Sequence, residues 1–134
     1  MKNAIGAVHS GWRGTALGIA AKAADAMVRE YGCVRENIRA AIGPCISKCC
    51  FETDWDVPQA MLDALGPKAV TGFSQKGEKY FVDTKFLNTL WLQRAGIGGL
   101  DLSPDCTKCQ PDRYWSHRNH GCQRGSMAGI IMLK

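Results

Sequence analysis

No apolar stretch in these 134 residues reaches the ~18 positions that a membrane-spanning helix needs, which excludes a helical span. Met1, Lys2 and Asn3 lead into an apolar run that stops at His9, too short for the hydrophobic region of a secretory signal. No run of Lys and Arg interleaved with aromatics is present, so nucleic acid is not the expected partner. The formal net charge is nonetheless +5, and these scattered cations favour small anionic ligands such as phosphate or nucleotide. Internal repeats, low-complexity tracts and linkers are also missing, and no shift in composition marks a domain boundary. The expectation is a single domain over residues 1–134, cytoplasmic, bound neither to membrane nor to nucleic acid.

With 46% hydrophobic and 22% charged residues the chain reads as soluble and globular. A chain of this length can bury a core without covalent staples. Seven cysteines are present: Cys33, Cys45, Cys49, Cys50, Cys106, Cys109 and Cys122. The odd number and the lack of an export signal argue against structural disulfides. Free thiols, metal ligation and burial remain open for them.

Residues 4–9 alternate small and apolar side chains and predict a short buried strand. A helix is expected from Gly14 and Thr15, with Leu17, Ala20, Ala24, Met27, Val28 and Tyr31 at helical spacing and Gly32 as its stop. Residues 38–42 predict a second buried strand, and residues 45–52 a loop leading to a short strand. Asp54 or Asp56 is expected to cap a helix that carries Met61, Leu62 and Leu65, tolerates Pro58 in its first turn and ends at Gly66. Residues 79–82 predict a strand. Asp83 caps a further helix with Phe86, Leu87, Leu90, Trp91 and Arg94, closed by Gly96. Short strands are expected at residues 99–102, 114–116 and 127–133. Alternating strands and helices imply an α+β (mixed α/β) fold, a mixed β-sheet core flanked by helices.

Three segments can carry chemistry. In His9-Ser10-Gly11-Trp12-Arg13-Gly14 a strand end would fix the imidazole, and the glycines would let the backbone approach a ligand. Arg13 offers a planar cation for phosphate or carboxylate, and Trp12 a face for a ring. A core histidine with Trp12 packed beside it fits the same residues. In Cys45-Ile46-Ser47-Lys48-Cys49-Cys50-Phe51-Glu52 three thiols could bind a soft metal, although buried structural cysteines are the plainer reading. Glu52 is either a site carboxylate or a surface one. Cys106 and Cys109, followed by His117, His120 and Cys122, have spacing compatible with a small zinc site.

Together these segments resemble one family, the YfiH-type laccase-domain proteins. That family has been described as multicopper polyphenol oxidase and as peptidoglycan editing factor, and is associated with purine nucleoside phosphorylase and adenosine deaminase activity. The matching words are His9-Ser10-Gly11-Trp12-Arg13-Gly14, similar to His-Ala-Gly-Trp-Arg-Gly; Ile42-Gly43-Pro44-Cys45-Ile46 with Cys50-Phe51-Glu52; and Cys106-Thr107 with Trp115-Ser116-His117-Arg118. Their order and spacing match from residue 4 onward.

The resemblance implies a YfiH-like fold of which this chain is the C-terminal portion. It implies a zinc-dependent enzyme acting on purine nucleoside and phosphate. It also implies a single zinc held by His, Cys and His, with His9 as the last of the three. The other two ligands belong to a Val-His-Gly and an Ala-Asp-Cys segment that this sequence does not contain, so a preceding segment or a second chain would complete the site. His117 stands where many members have Tyr, and Arg124-Gly125-Ser126 where many have Thr-Gly-Arg. On this reading His9 and Arg13 are catalytic, His9 being the metal ligand, and Trp12, Gly14, Thr15, Ser116 and Arg118 bind substrate. Two alternatives stand beside it. One is copper-dependent polyphenol oxidation on the same fold. The other is a non-catalytic zinc or interaction module built on Cys106, Cys109, His117, His120 and Cys122.

Overall fold

The structure, a computed structural model, describes residues 3–133. Helix α1 (Trp12–Ala16) follows the His9-Ser10-Gly11 turn, and α2 (Ile19–Tyr31) comes after a bend at Leu17 and Gly18. Helical periodicity predicts one helix here and the structure has two. Gly18 makes the break, with φ of 69°, a left-handed conformation that costs residues bearing a Cβ about 1–2 kcal/mol. The Trp91 indole packs on this glycine, and a Cβ there would lie 3.3 Å from the ring. Helix α2 ends at Gly32 as its sequence predicts.

Strand β1 (Arg39–Ile42) pairs in parallel with β5 (Gly99–Leu102), Arg39 facing Gly99 and Ile42 facing Leu102. The second sheet is antiparallel, in the order β2-β4-β3, with β2 (Glu52–Thr53), β3 (Phe73–Lys76) and β4 (Lys79–Val82). The fold is therefore α+β. Its strands are divided between one parallel pair and one antiparallel sheet, where a single mixed sheet was expected.

In chain order α3 (Asp56–Leu65) and a 3-10 segment Gly66–Gly72 lie between β2 and β3, and α4 (Thr84–Arg94) lies between β4 and β5. Asp83 caps α4 as expected, its carboxylate accepting from the Phe86 amide at 2.9 Å. The cap expected for α3 is not made: Trp55 takes that position without a side-chain bond, and Asp54 pairs with Lys79 instead. A short helix α5 (His117–His120) lies near the end of the chain.

The core gathers Phe51, Val57, Met61, Leu65, Ala69, Val82 and Leu87 between α3, α4 and β4, with Trp12, Ala16 and Trp91 packed against it. Met61, Leu65, Val82 and Leu87 are completely buried, and each such side chain contributes about 1.5–3 kcal/mol by leaving water. Trp12 thus anchors the His9-to-Gly14 turn to this core through α1.

Three segments expected as strands are not strands. Residues 4–9, 114–116 and 127–133 pair with no ladder among the described residues. Val8 is 49% exposed and Ile130 88%, so apolar composition alone did not bury them. A strand needs a hydrogen-bonded neighbour, and these segments have none here. The segment at residues 38–42 does pair, but only Ile38 is buried; β1 itself alternates exposed and half-buried positions.

Candidate active site

The turn entering α1 is held by a polar network against α4. Ser10 Oγ donates to Asn88 Oδ1 at 2.9 Å, and Asn88 Nδ2 donates to Thr15 Oγ1 at 2.9 Å and to the Thr84 carbonyl at 2.8 Å. The Thr15 hydroxyl donates to the Gly11 carbonyl at 3.0 Å, and Trp91 Nε1 to the Thr15 carbonyl at 2.7 Å. Thr15 is fully buried. Its hydroxyl serves this network and faces protein, which differs from the substrate contact expected of it. Gly14 packs against Ile19 and the His9 carbonyl. The His9 imidazole is exposed and curls over Gly11, with Nε2 3.4 Å from where a Cβ on Gly11 would stand.

Trp12, Arg13 and Arg118 meet across an open cleft of ≈ 440 Å³, whose other walls are Phe51, Glu52, Thr53, Asp54, Asp56, Val57 and Lys79. The Arg13 guanidinium lies over the Trp12 ring, 4.3 Å from its centroid. Arg118 lies 5.2 Å from the Phe51 ring and donates to the Glu52 carbonyl at 2.8 Å. Lys79 is tied to Asp54 at 2.5 Å, and that hydrogen bond raises the ammonium's pKa. Among the described residues neither Arg13 nor Arg118 has a carboxylate partner. Two guanidinium forks with free donor capacity flank one cavity, an arrangement suited to a planar or tetrahedral oxyanion. Helix α1 has only five residues, so charge at this end of the cleft comes from Arg13 and owes little to a helix dipole.

Ser116 is buried and precedes α5, its carbonyl accepting from the amides of Asn119 and His120. It does not line the cleft. Phe51, Glu52, Asp54 and Lys79 reach the cleft through the β2–β4 pairing, in which Glu52 faces Phe81 and Thr53 faces Tyr80. Sequence reasoning left Glu52 open and gave no signal for Lys79, whose place depends on the hairpin register.

The cysteines are arranged differently from expectation. The sulfurs of Cys49, Cys50, Cys106 and Cys109 all lie within 4.8 Å of one another. Cys49 and Cys109 are exposed and Cys50 is half-buried, so these are not plain core cysteines. Burial opposes a thiolate at Cys106, but hydrogen bonds from the backbone of Ser47, Cys109 and Lys108 outweigh it and hold the thiol down to about 6. Cys50 is pushed up to about 12 by burial and by the Cys109 and Cys49 thiols. Burial also raises the Cys45 thiol. His120 Nδ1 sits 3.1 Å from the Ser116 carbonyl, its ring against Trp115, and His117 Nδ1 lies 3.0 Å from Arg124 Nη1. Cys106 and Cys109 thus join Cys49 and Cys50, and not His117, His120 and Cys122 as the interaction-module reading expected.

A metal at His9 needs further donors. Among the described residues the four cysteines form the one group of three or more His, Cys, Asp or Glu close enough to share an ion, and His9 is outside it. Three protein ligands and a water make a catalytic zinc site. The donors around His9 in this chain do not meet that requirement.

The sequence model of the family described as multi-copper polyphenol oxidoreductase laccase matches residues 1–134. The chain belongs to this family, in its YfiH-type, laccase-domain form. Among its relatives, the purine nucleoside phosphorylase LACC1 of Mus musculus is 34% identical over 143 residues, covering 100% of this chain and 32% of that protein. The adenosine deaminase RL5 of an unknown prokaryotic organism is 30% identical over 120 residues, covering 87% of this chain and 45% of that protein. The crystal structure of the Bacillus licheniformis hypothetical protein YfiH superposes with a TM-score of 0.78 at 37% identity, over 83% of this chain and 43% of that one. The chain spans 32% to 51% of the length of the curated relatives it matches. Resemblance to relatives so named makes this an enzyme family. Among the described residues no helix is long and apolar enough to cross a membrane.

Proposed function

We propose that this chain forms the substrate-facing C-terminal part of a purine-nucleoside-processing enzyme that cleaves nucleosides with phosphate. The observation that carries the reading is the convergence of Arg13 and Arg118, far apart in sequence, on one cleft beside Trp12. Arg13 holds the phosphate in a charge-assisted contact and Arg118 grips the ribose or base edge from the opposite wall. Trp12 supplies the face on which the purine stacks. His9, exposed beside this wall, contributes one donor to a zinc centre completed by residues outside this chain, in a preceding segment or a second chain. Several relatives carry the name purine nucleoside phosphorylase and one the name adenosine deaminase, which supports purine chemistry. Copper-dependent phenol oxidation gains no support from the donors present, because the described residues offer one all-thiolate group and no histidine cluster. The proposed compartment is the cytoplasm, where thiols remain reduced.

The test is phosphate-dependent release of free purine from inosine and adenosine by the full-length protein that contains this chain. Arg13→Ala should lower kcat/KM for phosphate roughly ten- to a hundred-fold, the worth of one hydrogen-bonded charged contact. Ammonia release that is indifferent to phosphate would instead mark a deaminase. No purine turnover of either kind, or an Arg13→Ala enzyme with unchanged phosphate dependence, would overturn the reading.

A further inference from the structure

The four clustered thiols lie apart from the cleft, and nothing in the proposed reaction uses them. Their geometry is specific. Sulfur-to-sulfur distances are 3.6 Å for Cys49–Cys50, 3.8 Å for Cys49–Cys106, 3.7 Å for Cys49–Cys109 and 3.4 Å for Cys50–Cys109. Zinc binds thiolate at about 2.3 Å, so the edge of a Zn–S tetrahedron is about 3.8 Å. Four of the six edges are therefore close to the length that tetrahedron needs, and the remaining two are no longer than 4.8 Å. A disulfide would bring two sulfurs to about 2.05 Å, and none of these contacts is that short.

We propose that Cys49, Cys50, Cys106 and Cys109 form a structural tetrathiolate zinc site that clamps two loops together beneath the cleft wall. One pair is adjacent in sequence and the other is a Cys-x2-Cys turn, each pair presented by a tight backbone turn. The Cys50 and Phe51 amides both donate to the Ser47 carbonyl, at 2.9 and 3.0 Å. The Ser47 amide in turn points at Cys106 Sγ from 3.4 Å, the kind of donor that stabilises a metal-bound thiolate from outside. The loops already touch through the Cys45–Cys106 bridge, where the Thr107 amide donates to the Cys45 carbonyl at 3.1 Å. Four sulfur ligands with no open position make a closed, structural site and not a catalytic one. Soft thiolates select zinc over hard cations, and each thiol gives up its proton as its sulfur binds.

The clamp also bears on the cleft. Cys50 is followed directly by Phe51 and Glu52, and the Glu52 carbonyl accepts from Arg118. The carbonyl of Lys108, within the Cys-x2-Cys turn, accepts from Asn119 Nδ2 at 2.7 Å. Arg118 and Asn119 are therefore held at two points, one beside each thiol pair.

The experiment is metal content by mass spectrometry on protein purified under reducing conditions without a metal-affinity tag. Wild type should carry about one more zinc per chain than Cys109→Ser or Cys49→Ser. That difference should survive in His9→Ala and in Cys122→Ser, which separates this site from any metal at His9. Cobalt(II) loading should give the strong visible absorption of tetrahedral thiolate, lost in Cys109→Ser. In Cys109→His, a fallback should the serine variant fail to fold, the spectrum should shift with the metal retained. Equal zinc in wild type and in both serine variants would overturn the proposal, as would finding the four thiols paired as disulfides in the reduced preparation.

Discussion

Replacing Asn88 with alanine tests how the turn from His9 to Gly14 is held. Asn88 is only 5% exposed and spends its amide on three partners: Ser10 Oγ, Thr15 Oγ1 and the Thr84 carbonyl. Each hydrogen bond is worth a net ~0.5–1.5 kcal/mol, and the fully buried Thr15 hydroxyl would keep only the Ser10 hydroxyl, 3.1 Å away, as a possible donor. The loss should total about 2–4 kcal/mol, read as a lower midpoint in urea with an unchanged slope. Ser10→Ala removes the bond to Asn88 and the hydroxyl contact with Thr15, and should cost about 1–2 kcal/mol. The decisive measurement is the double mutant. Ser10 and Asn88 share a bond, so the two losses should fail to add by at least ~0.5 kcal/mol. Strict additivity, or an Asn88→Ala loss below ~0.5 kcal/mol, would show that the network does not hold the turn.

Gly18→Ala forces a Cβ into left-handed backbone and toward the Trp91 ring, and should lower stability by about 1–2 kcal/mol or more in thermal melts. Asp83→Ala removes the α4 cap and should cost about 0.5–2 kcal/mol, whereas Asp83→Ser should recover most of it in the same denaturation assay. The Tyr114 hydroxyl and the Gln110 amide lower the pKa of Asp105 from its ordinary 3.8. A carboxylate depressed in the folded state stabilises the fold above its unfolded pKa and loses that contribution as pH falls through the folded one. Acid titration of stability should therefore show a loss below about pH 3.8, and Tyr114→Phe should flatten it. The same bond raises the pKa of Tyr114, so its contribution persists at neutral pH and fades only in strong alkali.

Local chemistry made part of this molecule legible in sequence. The stop at Gly32 and the cap at Asp83 are fixed by residues within one turn of themselves, and the Lys79–Val82 strand and β5 coincide with the segments whose composition predicts strands. The break at Gly18 was hidden because helical periodicity runs straight through it, and the Trp91 ring that packs on this left-handed glycine comes from another element. Strand β3 escaped because most of its residues are exposed and polar; the Gly77 turn between Lys76 and Lys79 was its only local sign. Residues 4–9 and 127–133 misled in the opposite sense, being apolar without a ladder partner among the described residues. In the site, the turn from His9 to Gly14 could be singled out by residue type, and Trp12, Arg13 and Arg118 do line one cleft. Thr15 was expected to touch substrate from its place at the start of the helix, and its hydroxyl's engagement by Asn88, 73 residues away, leaves no trace in the local sequence. The thiol cluster was visible only as two unconnected groups, Cys45, Cys49 and Cys50 in one and Cys106 and Cys109 with His117, His120 and Cys122 in the other, since spacing along a chain cannot report a contact across 57 residues.

The left-handed residue at Gly18 has a mechanical consequence. By turning the chain between α1 and α2 it sets α1 at its own angle, and the side-chain hydrogen bonds that then hold the cleft end of the molecule run to α4, through Asn88 and Trp91. A deep mutational scan should register this at the cleft as sensitivity to Asn88 and Trp91 of α4, which bond directly to Thr15. Helix α4, through its polar side chains, and the apolar core around α3 thus share the steering of Trp12 and Arg13.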